Sequence, residues 1–132
     1  MKIAGVTVTE IRSYKDLKMW QKANMLINKI FDLIEVFPRN MGGDVVARQV
    51  IRSSTSVAAN IAEGYGGRKG NEYISYLYQA RRSIPETDNW LYLASQRKFI
   101  TEQDYEELSK EYSEVLLMIN SAISKLRRQS KK

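Results

Sequence analysis

Asn60 and Glu63 are the residues of this chain whose types and spacing come nearest to a reactive pair. Three apart on a helix, an amide and a carboxylate share one face and could orient a ligand or move a proton. Their setting argues for another use. They end a run of small side chains, Ser53-Ser54-Thr55-Ser56-Val57-Ala58-Ala59-Asn60-Ile61-Ala62-Glu63-Gly64, which lets a second helix approach closely. A carboxylate beside such a seam fixes helix register by pairing with an arginine, and breaking such a pair where it is buried costs about 3 to 5 kcal/mol. Arg52 and Arg82 are the candidate partners. Asn60, Glu63 and Glu86 are therefore expected to form a structural polar lock, and no residue is assigned a catalytic role.

The other reactive-looking groups are cationic. Gly64 to Asn71 combines glycines, Arg68 and Lys69 with the start of a following helix, the ingredients of a phosphate cradle. It lacks the Walker spacing and a preceding strand, so an ordinary interhelical turn explains it as well. Arg48 and Arg52 stand four apart, and Arg81 and Arg82 are adjacent. Arginines pair with phosphates and stack on bases, and Tyr65, Tyr76 and Tyr78 could extend a stacking surface. The same arginines could instead neutralise Glu63, Glu86 and Asp88.

Composition narrows the chemistry. The 132 residues include neither histidine nor cysteine, which removes the commonest general base, thiolate chemistry and the usual transition-metal ligands. No cofactor, no metal and no enzymatic activity are expected. Nothing resembles a signal peptide or a membrane span, so a cytoplasmic protein without membrane contact is expected. The net charge of +6 is concentrated in a basic tail, 125–132, where Lys125, Arg127, Arg128, Lys131 and Lys132 supply five positive charges. Glu102, Asp104, Glu106 and Glu107 open the same segment. That gradient complements a helix dipole, and it would equally serve a phosphate-seeking tail.

The elements that must position these groups are helical. After a short leader, 1–13, with Ile3, Val6 and Val8 extended, apolar residues recur at Leu17, Trp20, Ala23, Ile27, Ile30, Ile34 and Phe37. Asp16 is the expected cap and Pro38 the stop, which places helix one at 16–37. Asp44 is the expected cap of helix two, 44–65, with Val46, Val50, Val57 and Ile61 inward and Gly64, Gly66 and Gly67 ending it. Asn71 opens helix three, 71–97, on Tyr73, Leu77, Ala80, Ile84, Leu91 and Ala94, with a kink near Pro85. Thr101 and Asp104 form a capping box for helix four, 101–127, whose seam is Tyr105, Leu108, Tyr112, Val115, Ile119, Ala122 and Leu126. The expectation is one all-α domain, an antiparallel up-down-up-down four-helix bundle. Met19, Leu26, Leu33, Tyr76, Trp90, Leu116 and Leu117 exceed what one core needs, so self-association into a homo-oligomer is expected.

Several blocks also match a family pattern: Asp16 to Ala23, Phe37-Pro38, Gln49 to Arg52, Ser56-Val57, Asn60 to Gly64, Glu72-Tyr73, Leu77, Ala80, Ser83 and Glu86. In combination the chain resembles the four-helix-bundle proteins encoded in 23S rRNA intervening sequences, over about residues 11–126. More distantly it is similar to the accessory variability protein of diversity-generating retroelements. The resemblance implies a homopentamer with a channel on its five-fold axis, structured RNA or DNA as partner, and contact with a nucleic-acid-processing protein. It carries over no catalytic residue. Ile51 departs from the family's second arginine, Arg82 from its glycine, and Pro85 and Trp90 are unusual near Glu86.

The expected nucleic-acid contacts are thus Arg48, Arg52, Arg68, Lys69, Arg81, Arg82, Lys125, Arg127 and Arg128. A protein-recruiting scaffold that never touches nucleic acid is the alternative.

Overall fold

The computed structural model describes residues 2–3, 6–7, 10–66 and 70–130. Val8, Gly67, Arg68, Lys69, Lys131 and Lys132 lie outside the described residues. A two-residue antiparallel pairing, β1 (Lys2–Ile3) with β2 (Val6–Thr7), precedes a single 3₁₀ turn at Tyr14–Asp16. Four helices follow: α1 (Lys18–Ile34), α2 (Met41–Tyr65), α3 (Asn71–Gln96) and α4 (Glu102–Ser130).

Each helix packs against its sequence neighbour, and α1 closes the ring on α4. Side-chain register gives the directions. Ser53 meets Thr87 while Ser56 meets Ser83, so α2 and α3 run oppositely. Arg81 meets Asn120 while Tyr105 meets Asp88, and Lys22 meets Glu114 while Lys29 meets Glu111, which sets α4 against both α3 and α1. The result is an up-down-up-down bundle.

The expected stripes line its core. Val46, Val50, Val57 and Ile61 are buried from α2, Leu77, Ala80, Ile84, Leu91 and Ala94 from α3, and Leu108, Tyr112, Val115 and Ile119 from α4. The proposed second apolar face is largely absorbed by this core. Met19 and Leu26 are buried in it, and Leu33, Trp90 and Leu116 pack against it. Of the residues named for that face, Leu117 is the large apolar side chain left outside, at 68% exposure. The reason is geometric: α1 touches both α2 and α4, so it buries a wider arc than a two-helix seam requires.

Several helix ends differ from expectation. Helix one begins at Lys18, not at 16, because Asp16 serves the preceding turn: its carboxylate accepts the backbone N–H groups of Arg12 (2.8 Å) and Ser13 (3.2 Å). It ends at Ile34, before Phe37. Helix two starts three residues before Asp44, capped by the Asn40 side chain, which accepts the Gly43 N–H at 2.9 Å. Gly43 is needed there, since a Cβ would lie 2.0 Å from the Pro38 carbonyl oxygen. Asn71 is the first residue of α3 and not its cap; the helix continues through Pro85 to Gln96 as one helix, as expected. Thr101 and Asp104 do form reciprocal caps, at 2.9 and 3.3 Å. Helix four extends to Ser130, three residues beyond 127, so Lys125, Arg127 and Arg128 are helical.

Candidate nucleic-acid interface

The α2–α3 seam is held by hydroxyls. Ser53, Ser54 and Thr87 are all fully buried. The Thr87 and Ser53 hydroxyls share a hydrogen bond of 3.0 Å, and one turn along, Ser83 and Ser56 share another of 3.0 Å. Asn60 extends the ladder within α2, its amide donating to the Ser56 carbonyl (2.9 Å) and hydroxyl (3.1 Å). Small polar side chains suit this place because they satisfy one another without holding the helices apart.

The polar lock is accordingly different from the expected one. Glu63 is exposed and, among the described residues, makes no ion pair with Arg52 or Arg82. The partner of Arg52 is Glu86, whose carboxylate also accepts the Trp90 indole N–H at 3.4 Å. The cause is register: antiparallel pairing that sets Ser53 against Thr87 brings Arg52 beside Glu86 and leaves Glu63 near the far end of the seam. Both members of the pair are more than a third exposed, so its contribution is on the order of 1 kcal/mol or less.

The expected arginine stripe is divided by this pairing. Arg52 is engaged with Glu86 and Gln49, while Arg48 stands exposed on α2. A tighter grouping forms where α3 meets the last turns of α4. The guanidinium carbons of Arg81 and Arg127 lie 4.7 and 5.3 Å from the centre of the Tyr78 ring, a cation–π arrangement on both counts. Arg81 also donates to the Asn120 side-chain oxygen at 2.8 Å. Arg82 is exposed beside them, and Tyr78, Arg81 and Arg82 line one surface depression of about 650 Å³. Lys125 and Arg128 are exposed on the same final turns of α4. Among the described residues, no ion pair involves Arg81, Arg82, Lys125, Arg127 or Arg128. The positions of Arg68 and Lys69, and with them the proposed phosphate cradle, lie outside the described residues.

Among the described residues, Asp88 makes no ion pair with an arginine. Its carboxylate accepts the Tyr105 hydroxyl at 2.9 Å, and burial together with that bond raises the Tyr105 pKa above the ordinary tyrosine value. Asn120 and Tyr112 were not singled out by sequence as polar contributors. The one signal for Asn120 is its place beside Ile119, a polar residue flanking the apolar seam of α4. No cluster of three potential ligands that could hold a metal occurs among the described residues. Likewise, none of the described helices is long and apolar enough to cross a membrane.

A closed four-helix bundle with a hydroxyl-laced α2–α3 seam and an arginine-rich end defines a helical class of small protein. Within it, the chain belongs to the 23S rRNA-intervening sequence protein family, whose model matches residues 15–121. Among solved structures it is similar to a protein of unknown function from the S23 ribosomal protein family of Bacteroides thetaiotaomicron. The identity is 26% and the TM-score 0.73, with 80% of this chain and 95% of that one covered. No curated protein matches the sequence.

Proposed function

We propose that this chain is a non-enzymatic, homo-oligomeric bundle, pentameric in its assembled form, that binds structured RNA or DNA through the cationic end of α3 and α4. The observation that carries this reading is the Tyr78 cluster. Two guanidinium groups share one aromatic ring, Arg82 stands beside them, and no carboxylate neutralises them among the described residues. Repeated by symmetry, such a patch multiplies its field at every copy, which favours a polyanion over a small acid. The family's naming after 23S rRNA agrees with a nucleic-acid partner.

The test is binding to an RNA hairpin and a DNA duplex across a salt series, with mass by light scattering. The expected result is a five-chain mass and an affinity that falls steeply with salt. For duplex, the slope should shrink by about 0.9 for each phosphate that an Arg82→Gln, Arg127→Gln variant no longer neutralises. Absence of binding at low salt would overturn the proposal. It would favour a protein-recruiting scaffold, for which Val36, Met41 and Val45, exposed around the α1–α2 turn, offer the apolar surface.

A further inference from the structure

The groove between α3 and α4 contains a polar group that the bundle does not use. Tyr112 is 1% exposed, and its hydroxyl has no hydrogen-bond partner among the described residues. A buried hydroxyl without a partner carries its full desolvation penalty, whereas phenylalanine would fill the same space without it. Tyr112 lines an open groove of about 550 Å³ whose apolar wall is Ile84, Pro85 and Leu116. Cross-helix hydrogen bonds bracket this groove, Arg81 to Asn120 at one end and Tyr105 to Asp88 at the other. Pro85 has no N–H to give the Arg81 carbonyl, so that carbonyl lacks the intrahelical donor another residue at this position would supply. The depression holding Tyr78 and Arg82 shares Arg81 and Pro85 with the groove, so an apolar slot opens directly onto cations.

We infer that this groove takes one unpaired nucleotide of a single-stranded or looped segment, its base against Pro85 and Leu116, its edge bonded to the Tyr112 hydroxyl, and its phosphate on Arg81 and Arg82. The inference rests on the nucleic-acid reading above and specifies it. A flat ring with apolar faces and a polar edge fits a slot of this kind, and the phosphate joined to it through the sugar fits its mouth. Bases inside a duplex are stacked and paired, so the groove selects unpaired ones. Burial raises the Tyr112 pKa well above the ordinary tyrosine range, so the hydroxyl stays neutral and can donate or accept. Because the Tyr112 hydroxyl is buried, a groove side chain must give way for the base edge to reach it, and we assign that movement to Arg81, whose guanidinium a phosphate would draw from Asn120.

The experiment compares the full chain with Tyr112→Phe, using a mixed-sequence single-stranded RNA dodecamer and the same strand annealed to its complement. Melting temperature and light-scattering mass are recorded alongside. The wild type should prefer the single strand by about tenfold. Tyr112→Phe should lose roughly five- to tenfold in single-strand affinity, keep its duplex affinity and mass, and melt at or above the wild-type temperature. Unchanged single-strand affinity in the variant, with duplex binding intact, would overturn the groove assignment and leave the cationic surface standing. Failure of the wild type to bind either probe at low salt overturns both. A change of mass with unchanged affinity overturns the groove assignment in favour of a second copy of the chain as the partner of Tyr112.

Discussion

The Ser53 and Thr87 hydroxyls meet at 3.0 Å in a part of the α2–α3 seam from which solvent is excluded. Thr87 also bonds the Ser83 carbonyl at 2.8 Å, so one residue serves both its own helix and its neighbour. Thr87→Val keeps the shape and removes the hydroxyl, and is expected to cost about 1 to 3 kcal/mol because Ser53 is left without its cross-helix partner. The Ser53→Ala, Thr87→Val double variant should lose less than the sum of the singles. Urea unfolding of the four proteins measures the coupling, and strict additivity would show that the bond contributes nothing.

Gly64 should not tolerate a methyl group. Its Cβ would stand 2.8 Å from the Tyr76 Cβ and 3.1 Å from the Tyr73 ring. Alanine gains about 1 kcal/mol of helix propensity, against roughly 1 to 3 kcal/mol for forcing two packed helices apart. Net destabilisation is expected on thermal melting, and a higher melting temperature would mean that α2 and α3 separate at little cost.

Lys98, in the turn between α3 and α4, adopts a left-handed backbone with φ of 64°. It is exposed, so truncation removes no packing. Lys98→Gly is expected to stabilise the protein by about 0.5 to 1 kcal/mol, because glycine occupies this region without a Cβ clash. Chemical denaturation gives the sign directly.

Alkaline stability should depend on Tyr112. Burial raises its pKa in the folded chain, while in the unfolded chain it ionises near the usual value of about 10. Above that pH the unfolded state has released a proton that the folded state retains, so stability falls as pH rises. Tyr112→Phe should lose less stability than the wild type between pH 9 and about 11. Parallel decline of the two would assign the alkaline loss to other groups.

The final turns of α4 should show two effects of one set of charges. Arg127 and Arg128 lie in its last turn and Glu102 and Asp104 in its first, each complementing the helix dipole. Replacing Arg127 and Arg128 by glutamine should lower stability by about 0.3 to 1 kcal/mol per charge removed at low salt. The same replacements should flatten the salt dependence of RNA binding. Reduced stability with an unaltered salt slope would confine these cations to the helix end.

How much of this was legible in the sequence depended on whether the deciding contact was local. The α4 seam and its Thr101–Asp104 box lie within a few residues of one another, and both were readable. The start of α2 was not, because Asn40 and Asp44 are both good caps and Gly42-Gly43 reads as loop. Only the close approach of Gly43 to Pro38 shows that the helix begins earlier. At the candidate site the residue types were visible but the pairings were not. Arg52 could address Glu63 or Glu86 from sequence, and the register of α2 on α3, set by serines and a threonine, decided for Glu86. The unpartnered state of Tyr112 depends on everything packed around it, and a seam pattern records only that it faces inward.

Helix four is 29 residues long and helix one 17, and Lys22 and Lys29 pair with Glu114 and Glu111. The last ten residues or so of α4, roughly 15 Å of helix, therefore run past the start of α1. There Arg127 lies over the Tyr78 ring of α3, while Ile123 is buried in the core and Leu126 packs against it. Beyond Leu126 the last turn, 127–130, is exposed, and a helix end whose final carbonyls lack intrahelical donors opens before the middle of the helix does. The amides of that turn should exchange hydrogen for deuterium sooner than those around Val115, and a polyanion bound there would slow that exchange. The cations of Arg127 and Arg128 thus sit on the fraying end of α4, so a polyanion held by them would register as added protection of that turn.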